Sequence, residues 1–168
     1  MLFRSTDDAG QYRLVFKGLE SVRSDWSPLA REFQQELYRR LFMNEPVEDY
    51  VIETVQRVLD GALDDKLVLR RRLRRKLDDY TKNVPPHVRA ARMADGVREQ
   101  RGLQPAYKSG GWIEFQMTVN GPEPVAYSES LIDYNFYIER QLAPIADAVL
   151  GFRQTSLEAL TDRQLGLF

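Results

Sequence analysis

The densest chemistry in this chain is Arg70-Arg71-Arg72-Leu73-Arg74-Arg75-Lys76, six cations in seven residues. Repulsion on that scale favours either a disordered tail or an anionic partner, and the regular apolar segments on both sides argue against the tail. Residues 66–92 hold ten Lys or Arg against two Asp, a net +8 that leaves −9 on the remainder. A partner feels that local field rather than the formal total of −1. Acid–base or metal chemistry has far less to work with. The adjacent pairs Asp7-Asp8, Asp64-Asp65 and Asp78-Asp79 invite a metal-site reading. Neighbouring residues point apart on a strand and diverge around a helix, so these pairs read as solvated loops and caps. No cysteine is present and His87 is the sole histidine, which excludes disulfides, thiolate metal sites and a histidine cluster. Ser-His-Asp chemistry would have to run through His87, without a nucleophile elbow or a glycine-rich phosphate loop to support it. No catalytic or metal-ligating residue is therefore assigned.

A second unusual string is Gln164-Leu165-Gly166-Leu167-Phe168. Chain ends usually fray and carry small or polar residues. Burying each of Leu165, Leu167 and Phe168 would contribute ~1.5–3 kcal/mol. Together they offer roughly 5–8 kcal/mol to a pocket before the cost of ordering the tail, the ~micromolar regime of a docking peptide. The alternative is a strap folded back on the domain's own core.

The elements that must carry these residues follow from periodicity. Tyr12–Leu19 is β-branched and aromatic and ends around Gly18, a short strand entering a turn. Ser27-Pro28 supplies an N-cap with proline at the first helical position, and Leu29, Phe33, Leu37 and Leu41 recur every four residues. Pro46 opens a second helix with Val47, Tyr50, Val51, Val55, Val58 and Leu59 on one face and Gly61 as its stop, suggesting an antiparallel helix pair. Leu67-Val68-Leu69 reads as a strand delivering the arginine run to a surface. Pro85-Pro86 starts a third helix with His87, Arg89, Arg92 and Arg98, running to Gly102. Ile113, Phe115, Met117 and Val119 alternate with Glu114, Gln116 and Thr118, a strand with one buried face that ends at Asn120-Gly121-Pro122. Asp133 caps a long helix with the stripe Tyr134, Ile138, Leu142, Ile145 and Val149, bent at Pro144, and a short helix follows around Ser156–Leu160. Trp26 and Trp112 read as packing residues.

At 168 residues, 43% of them hydrophobic and 29% charged, the chain has the composition of one soluble domain with or without appendages. No apolar run approaches the length of a membrane span, and Met1-Leu2-Phe3-Arg4-Ser5 leads into acids rather than a signal-peptide core. A cytoplasmic location, without a membrane partner, is expected.

Four segments in a fixed order resemble a known family. Val15-Phe16-Lys17-Gly18-Leu19-Glu20-Ser21-Val22-Arg23-Ser24-Asp25-Trp26 is similar to the segment where family B DNA polymerases leave the palm and enter the thumb. Leu77-Asp78-Asp79-Tyr80 with Pro86-His87-Val88-Arg89-Ala90-Ala91 resembles the thumb motif of a tyrosine, a spacer and Pro-His-Val-x-x-Ala. Asp133-Tyr134-Asn135-Phe136-Tyr137-Ile138-Glu139-Arg140-Gln141-Leu142 resembles the closing helix. The terminal string resembles the Gln-Leu-x-Leu-Phe peptide with which bacterial polymerases grip the sliding clamp. The similarity runs from about Tyr12 onward and points to the bacterial, polymerase II-like branch.

The resemblance implies an α+β, mainly helical fold: thumb-like helices with a small antiparallel sheet. It divides the chain into a palm remnant and palm–thumb junction over 1–26, a thumb over 27–160 and a clamp-binding tail over 161–168. The Asp-Thr-Asp core of the palm is absent, so no nucleotide transfer is expected of these residues, and magnesium is expected only in the palm. Implied partners are primer–template duplex DNA, the sliding clamp and the remainder of the polymerase. A thumb holds duplex mainly through phosphates. The candidate contacts are Arg71, Arg72, Arg74, Arg75, Lys76, Lys82, Arg89 and Arg92, about half of which are expected to reach phosphate because alternating strand positions send the others elsewhere, with Tyr80 and His87 near the duplex through the family motif. Gln164, Leu165, Leu167 and Phe168 are the clamp contacts, and Lys17, Arg23 and Asp25 would orient the joint. From the residues alone, Tyr80 also reads as a core or cap tyrosine, His87 as a helix-start residue with a backbone hydrogen bond, and the arginines as a face paired with the domain's own acids. A stand-alone clamp-interacting regulator that does not bind DNA is the competing reading of the whole chain.

Overall fold

The computed structural model describes residues 2–6, 12–16, 23, 25–151 and 155–165, with the backbone alone at 2–6, 12–16 and 163–165. In chain order the elements are β1 (Leu2–Thr6), β2 (Tyr12–Phe16), α1 (Pro28–Phe42), α2 (Glu48–Leu59), β3 (Leu69–Leu73), α3 (Pro86–Gln100), β4 (Gly111–Thr118), β5 (Gly121–Pro124), α4 (Tyr134–Tyr137), α5 (Ala143–Leu150) and α6 (Leu157–Leu165). The fold is α+β and mainly helical, as expected. Its chain forms two compact units, Asp64–Asp133 and a flanking unit of Met1–Leu63 with Tyr134–Phe168.

In the flanking unit, β1 and β2 pair antiparallel with Leu2 opposite Phe16 and Thr6 opposite Tyr12. Helix α1 starts where predicted: the Ser27 hydroxyl accepts from the Ala30 amide at 3.2 Å, and proline takes the first turn, where its missing N–H costs nothing. Leu29, Phe33 and Leu37 are buried on one face, and Leu41 is half-buried. Helix α2 begins at Glu48 rather than Pro46 and buries Val51, Thr54, Val55 and Val58. Phe33 and Tyr50 stack at 5.7 Å, but α1 packs mainly on α5 and α2 on α6, so the expected simple α1–α2 pair gives way to a bundle closed by the C-terminal helices.

The predicted long helix from residue 134 is interrupted. Between α4 and α5, Ile138–Leu142 forms a π turn, with the Ala143 amide bonding to the Ile138 carbonyl five residues back. Pro144 has no N–H to continue the regular ladder, so the irregularity falls one turn before it. The turn exposes Gln141 to a task inside the core. Its carboxamide oxygen accepts from the Ser27 amide (3.0 Å) and hydroxyl (2.6 Å), while its nitrogen donates to the Asp25 carbonyl (3.1 Å). Helix α6 is capped by Asp147, which accepts from the Leu157 amide at 2.9 Å, and by Ser156, which accepts from Ala159 at 3.2 Å.

The 64–133 unit is a three-stranded antiparallel sheet in the order β3-β4-β5 with α3 laid across one face. Leu69 faces Phe115, Arg71 faces Ile113 and Arg72 faces Trp112. Alternation sends Leu69, Leu73, Ile113 and Phe115 inward against the small side chains Ala90, Ala91 and Ala94 of α3, which let helix and sheet approach closely. The expected end of β4 at Asn120-Gly121-Pro122 is a hairpin: Thr118 pairs with Gly121, and β5 continues through two prolines. β5 is an edge strand, where missing N–H donors are tolerated. Val119, predicted inward, is 60% exposed because it sits in that hairpin, and Thr118 is buried instead, its hydroxyl donating to the Gly121 carbonyl at 2.7 Å. Two buried carboxylates pin the loops of this unit. Asp95 accepts from the Ala106 and Tyr107 amides, and Glu123 from Ser128, Glu129 and Ser130.

Among the described residues, no helix is long and apolar enough to cross a membrane.

Candidate nucleic-acid interface

The arginine run lies in β3 itself and in the segment beyond it. Strand parity therefore divides it. Arg70 and Arg72 project from the face opposite α3, together with Trp112 and Glu114, while Arg71 shares the inward face with Leu69 and Leu73 and is half-buried. Arg74, Arg75 and Lys76 follow the strand and are exposed, as are Lys82 and Arg89. None of the cations from Arg70 to Lys76, nor Lys82, Arg89 or Arg92, forms an ion pair among the described residues, where the pairs are Arg23–Asp25, Arg39–Glu36, Arg39–Glu45 and Arg40–Glu36. Among the described residues, then, no ion pair joins the arginine face to the domain's own acids.

Beneath the exposed cations sits a small ordered cluster. Arg75 lies 4.5 Å over the Tyr80 ring, and Tyr80 meets His87 edge-on at 6.3 Å. Tyr80 and His87 are both buried, so they act as a floor beneath the cationic surface. His87, in the first turn of α3, makes this ring contact, and among the described residues its side chain forms no backbone hydrogen bond of the kind expected of it. Its burial, and secondarily the Arg71 guanidinium, hold its pKa below the usual imidazole value, so at neutral pH it adds no charge.

Arg92 has a different place from its neighbours. One of its amines donates to the Leu77 carbonyl at 2.8 Å and the Tyr80 carbonyl at 2.6 Å, fastening the 77–80 turn to α3. Arg98 likewise bonds a backbone carbonyl, that of Gln104 at 2.6 Å. Arg89 lies beside the β4–β5 hairpin, where a side chain at Gly121 (φ 102°) would come within 3.2 Å of its guanidinium.

Trp26 is 4% exposed, the packing residue expected, but Trp112 is 52% exposed, which overturns the packing reading for it. The reason is parity: Ile113 and Phe115 face inward, so residue 112 faces out, and the alternation that identified β4 already implied it. Arg70, absent from the predicted contacts, rests 4.2 Å over the Trp112 ring.

Among the described residues no group of three or more His, Asp, Glu or Cys could hold a metal ion. Asp64 and Asp65 start a 3₁₀ turn, and Asp78 and Asp79 lie on another. Asp7, Asp8 and Lys17 lie outside the described residues, whereas Arg23 and Asp25 pair with each other at 3.2 Å. Of the predicted tail, Gln164 and Leu165 form the backbone end of α6, and Leu167 and Phe168 lie outside the described residues.

The family model for DNA polymerase family B matches residues 1–150. The chain belongs to that family. It is 51% identical over 161 residues to DNA polymerase II of Escherichia coli K12, an alignment that covers 96% of this chain and 21% of the relative. It is 30% identical to a DNA polymerase of Thermococcus litoralis, covering 92% of this chain and 10% of the relative. A Pyrococcus horikoshii DNA polymerase is 26% identical, with coverages of 92% and 13%. The chain thus spans about a fifth or less of the length of these family B relatives.

Proposed function

We propose that this chain is the duplex-gripping thumb portion of a polymerase II-like family B DNA polymerase, carrying a C-terminal clamp-binding peptide. In this scheme residues 1–26 are a palm remnant and junction, 27–160 the thumb and 161–168 the tail. Nucleotide transfer, and the magnesium it needs, belong to the palm, so the 168-residue chain alone does not polymerise. The observation that carries the reading is the set of unpaired cations on one unit. Arg72, Arg74, Arg75, Lys76, Lys82 and Arg89 have exposed side chains without ion pairs among the described residues, and Arg71 adds a half-buried seventh. Isolated guanidinium groups this close repel one another, and a polyanion relieves that repulsion while releasing its own counterions. Phosphate contacts position a duplex without reading its sequence.

The test is fluorescence anisotropy with two unrelated duplexes of equal length. Equal affinities within about twofold are expected of backbone-only contact. Failure to bind either duplex, or a strong preference for one, would count against a thumb. For the tail, deleting Leu167 and Phe168 should abolish capture by an immobilised sliding clamp and leave the unfolding transition in place. A marked loss of stability with capture retained would identify an internal strap instead.

A further inference from the structure

Trp112 is the feature the duplex reading does not use. Phosphate gripping needs cations, yet the outward face of the sheet also presents an indole that is 52% exposed even with Arg70 resting over it at 4.2 Å. Arg72 stands directly across the ladder from Trp112, but the cation on the ring is the diagonal Arg70. Arg72 and Arg74 are consequently left without a hydrogen bond, ion pair or ring contact among the described residues. These two arginines, Leu73, Ser109, Gly111 and Trp112 line an open recess of about 670 Å³. Gly111 lines the recess without a side chain, and its neighbour Gly110 holds the loop against β3. Gly110 has φ 101°, and a Cβ there would lie 2.9 Å from the Leu73 carbonyl oxygen, so the loop can only lie this close as glycine.

The geometry points to a binding site for an unpaired nucleotide of single-stranded DNA, with its base against Trp112 and its phosphates on Arg72 and Arg74. A flat aromatic surface beside free guanidinium groups is the arrangement that holds single strands without reading sequence, since every base has a π face. Paired bases in a duplex keep their faces stacked on one another and cannot use the indole. Charge selects against an acidic peptide less sharply than the ring does: carboxylates satisfy the arginines but leave the tryptophan uncovered. The site shares Arg72 and Arg74 with the proposed duplex interface and rests on that reading to this extent, so the two substrates are measured separately.

The experiment titrates the full chain with a short oligothymidylate while following intrinsic fluorescence. Trp26 is 4% exposed, so a change on binding reports Trp112. Saturable quenching is expected. In anisotropy with labelled DNA, Trp112→Ala should weaken single-strand binding about tenfold, Trp112→Phe should retain most of it, and duplex affinity should change less than about twofold in both. Equal loss for single strand and duplex would reduce Trp112 to a structural role and overturn the proposal. So would unchanged single-strand affinity in Trp112→Ala, or quenching by polyglutamate equal to that by the oligonucleotide. Loss of duplex binding in the unmodified chain, with single-strand binding intact, would instead overturn the thumb reading and leave this site standing.

Discussion

On α1, Arg39 and Arg40 both bond Glu36 at 2.8 Å, and Arg39 also reaches Glu45 at 2.9 Å. On β3 and the segment after it, cations of the same type stand without a carboxylate partner among the described residues. The sequence spacing explains the contrast. Helical positions three and four apart face each other, so Glu36 meets both arginines of α1. The arginine run has no acid within it, and Glu114, the carboxylate directly opposite on β4, faces Arg70 while that guanidinium rests on Trp112. One unit uses its charge for local order, and the other leaves it without ion pairs among the described residues.

The largest effect should come from removing the free charge. Replacing Arg72, Arg74, Arg75 and Lys76 with Gln should weaken duplex binding roughly 100-fold at low salt, whereas Arg39→Gln with Arg40→Gln should change it less than about twofold. Equal losses in the two sets would break the comparison. Thermal unfolding of the first variant should be unchanged or raised, because mutual repulsion is relieved.

Next is the polar contact inside the flanking unit. Gln141→Leu strands the buried Ser27 amide, which donates to the native carboxamide at 3.0 Å, and removes the donor to the Asp25 carbonyl. A buried group left unpaired costs about 1–3 kcal/mol, so urea denaturation should show a loss of about that size with duplex affinity of the folded protein intact. A neutral result would mean that the π turn is held by packing alone.

A smaller effect belongs to Glu36, which the hydrogen bond from Arg39, opposed by burial and assisted by Arg40, holds at a pKa of about 2. A carboxyl depressed from the usual value of 4.5 stabilises the fold above that value and loses its contribution as pH falls toward 2. Solvent screening at this partly exposed site limits it to about 1 kcal/mol. Glu36→Gln should flatten the acid limb of stability against pH by that amount, with no effect on binding.

The smallest effect concerns His87, whose pKa lies below the ordinary 6.5 through burial and the nearby Arg71. Its folded form resists protonation, so its contribution is complete above pH 6.5 and is lost as pH falls below it. As the sole histidine it is a clean NMR reporter. Arg71→Gln should raise its midpoint, and an unmoved midpoint would show that burial acts alone.

Local signals with one physical cause were legible in the sequence. Ser27-Pro28, the buried Leu29, Phe33 and Leu37 of α1 and the inward Ile113 and Phe115 of β4 each appear where predicted. What escaped were features decided by competition between elements. The prolines of β5 suppressed a hairpin that Asn120-Gly121 announces, because their tolerance depends on edge position, which is a tertiary property. The π turn depends on where Pro144 falls against a core that needs Gln141. At the candidate site, the cationic character was plain and strand alternation already implied that part of the run points elsewhere, but which arginines do so required knowing that Arg70–Leu73 belongs to β3. Tyr80 and His87, placed near the duplex by family likeness, form the floor beneath Arg75. The exposed Trp112 was implied by the inward Ile113 and Phe115 on either side of the outward Glu114.

The central claim is that the 64–133 unit holds charge in reserve for a phosphate backbone, and the salt dependence of duplex affinity tests it most directly. About six contacts release enough counterions to give log K against log salt a slope near −5. The account predicts that value for the intact chain, and a slope near zero would contradict it.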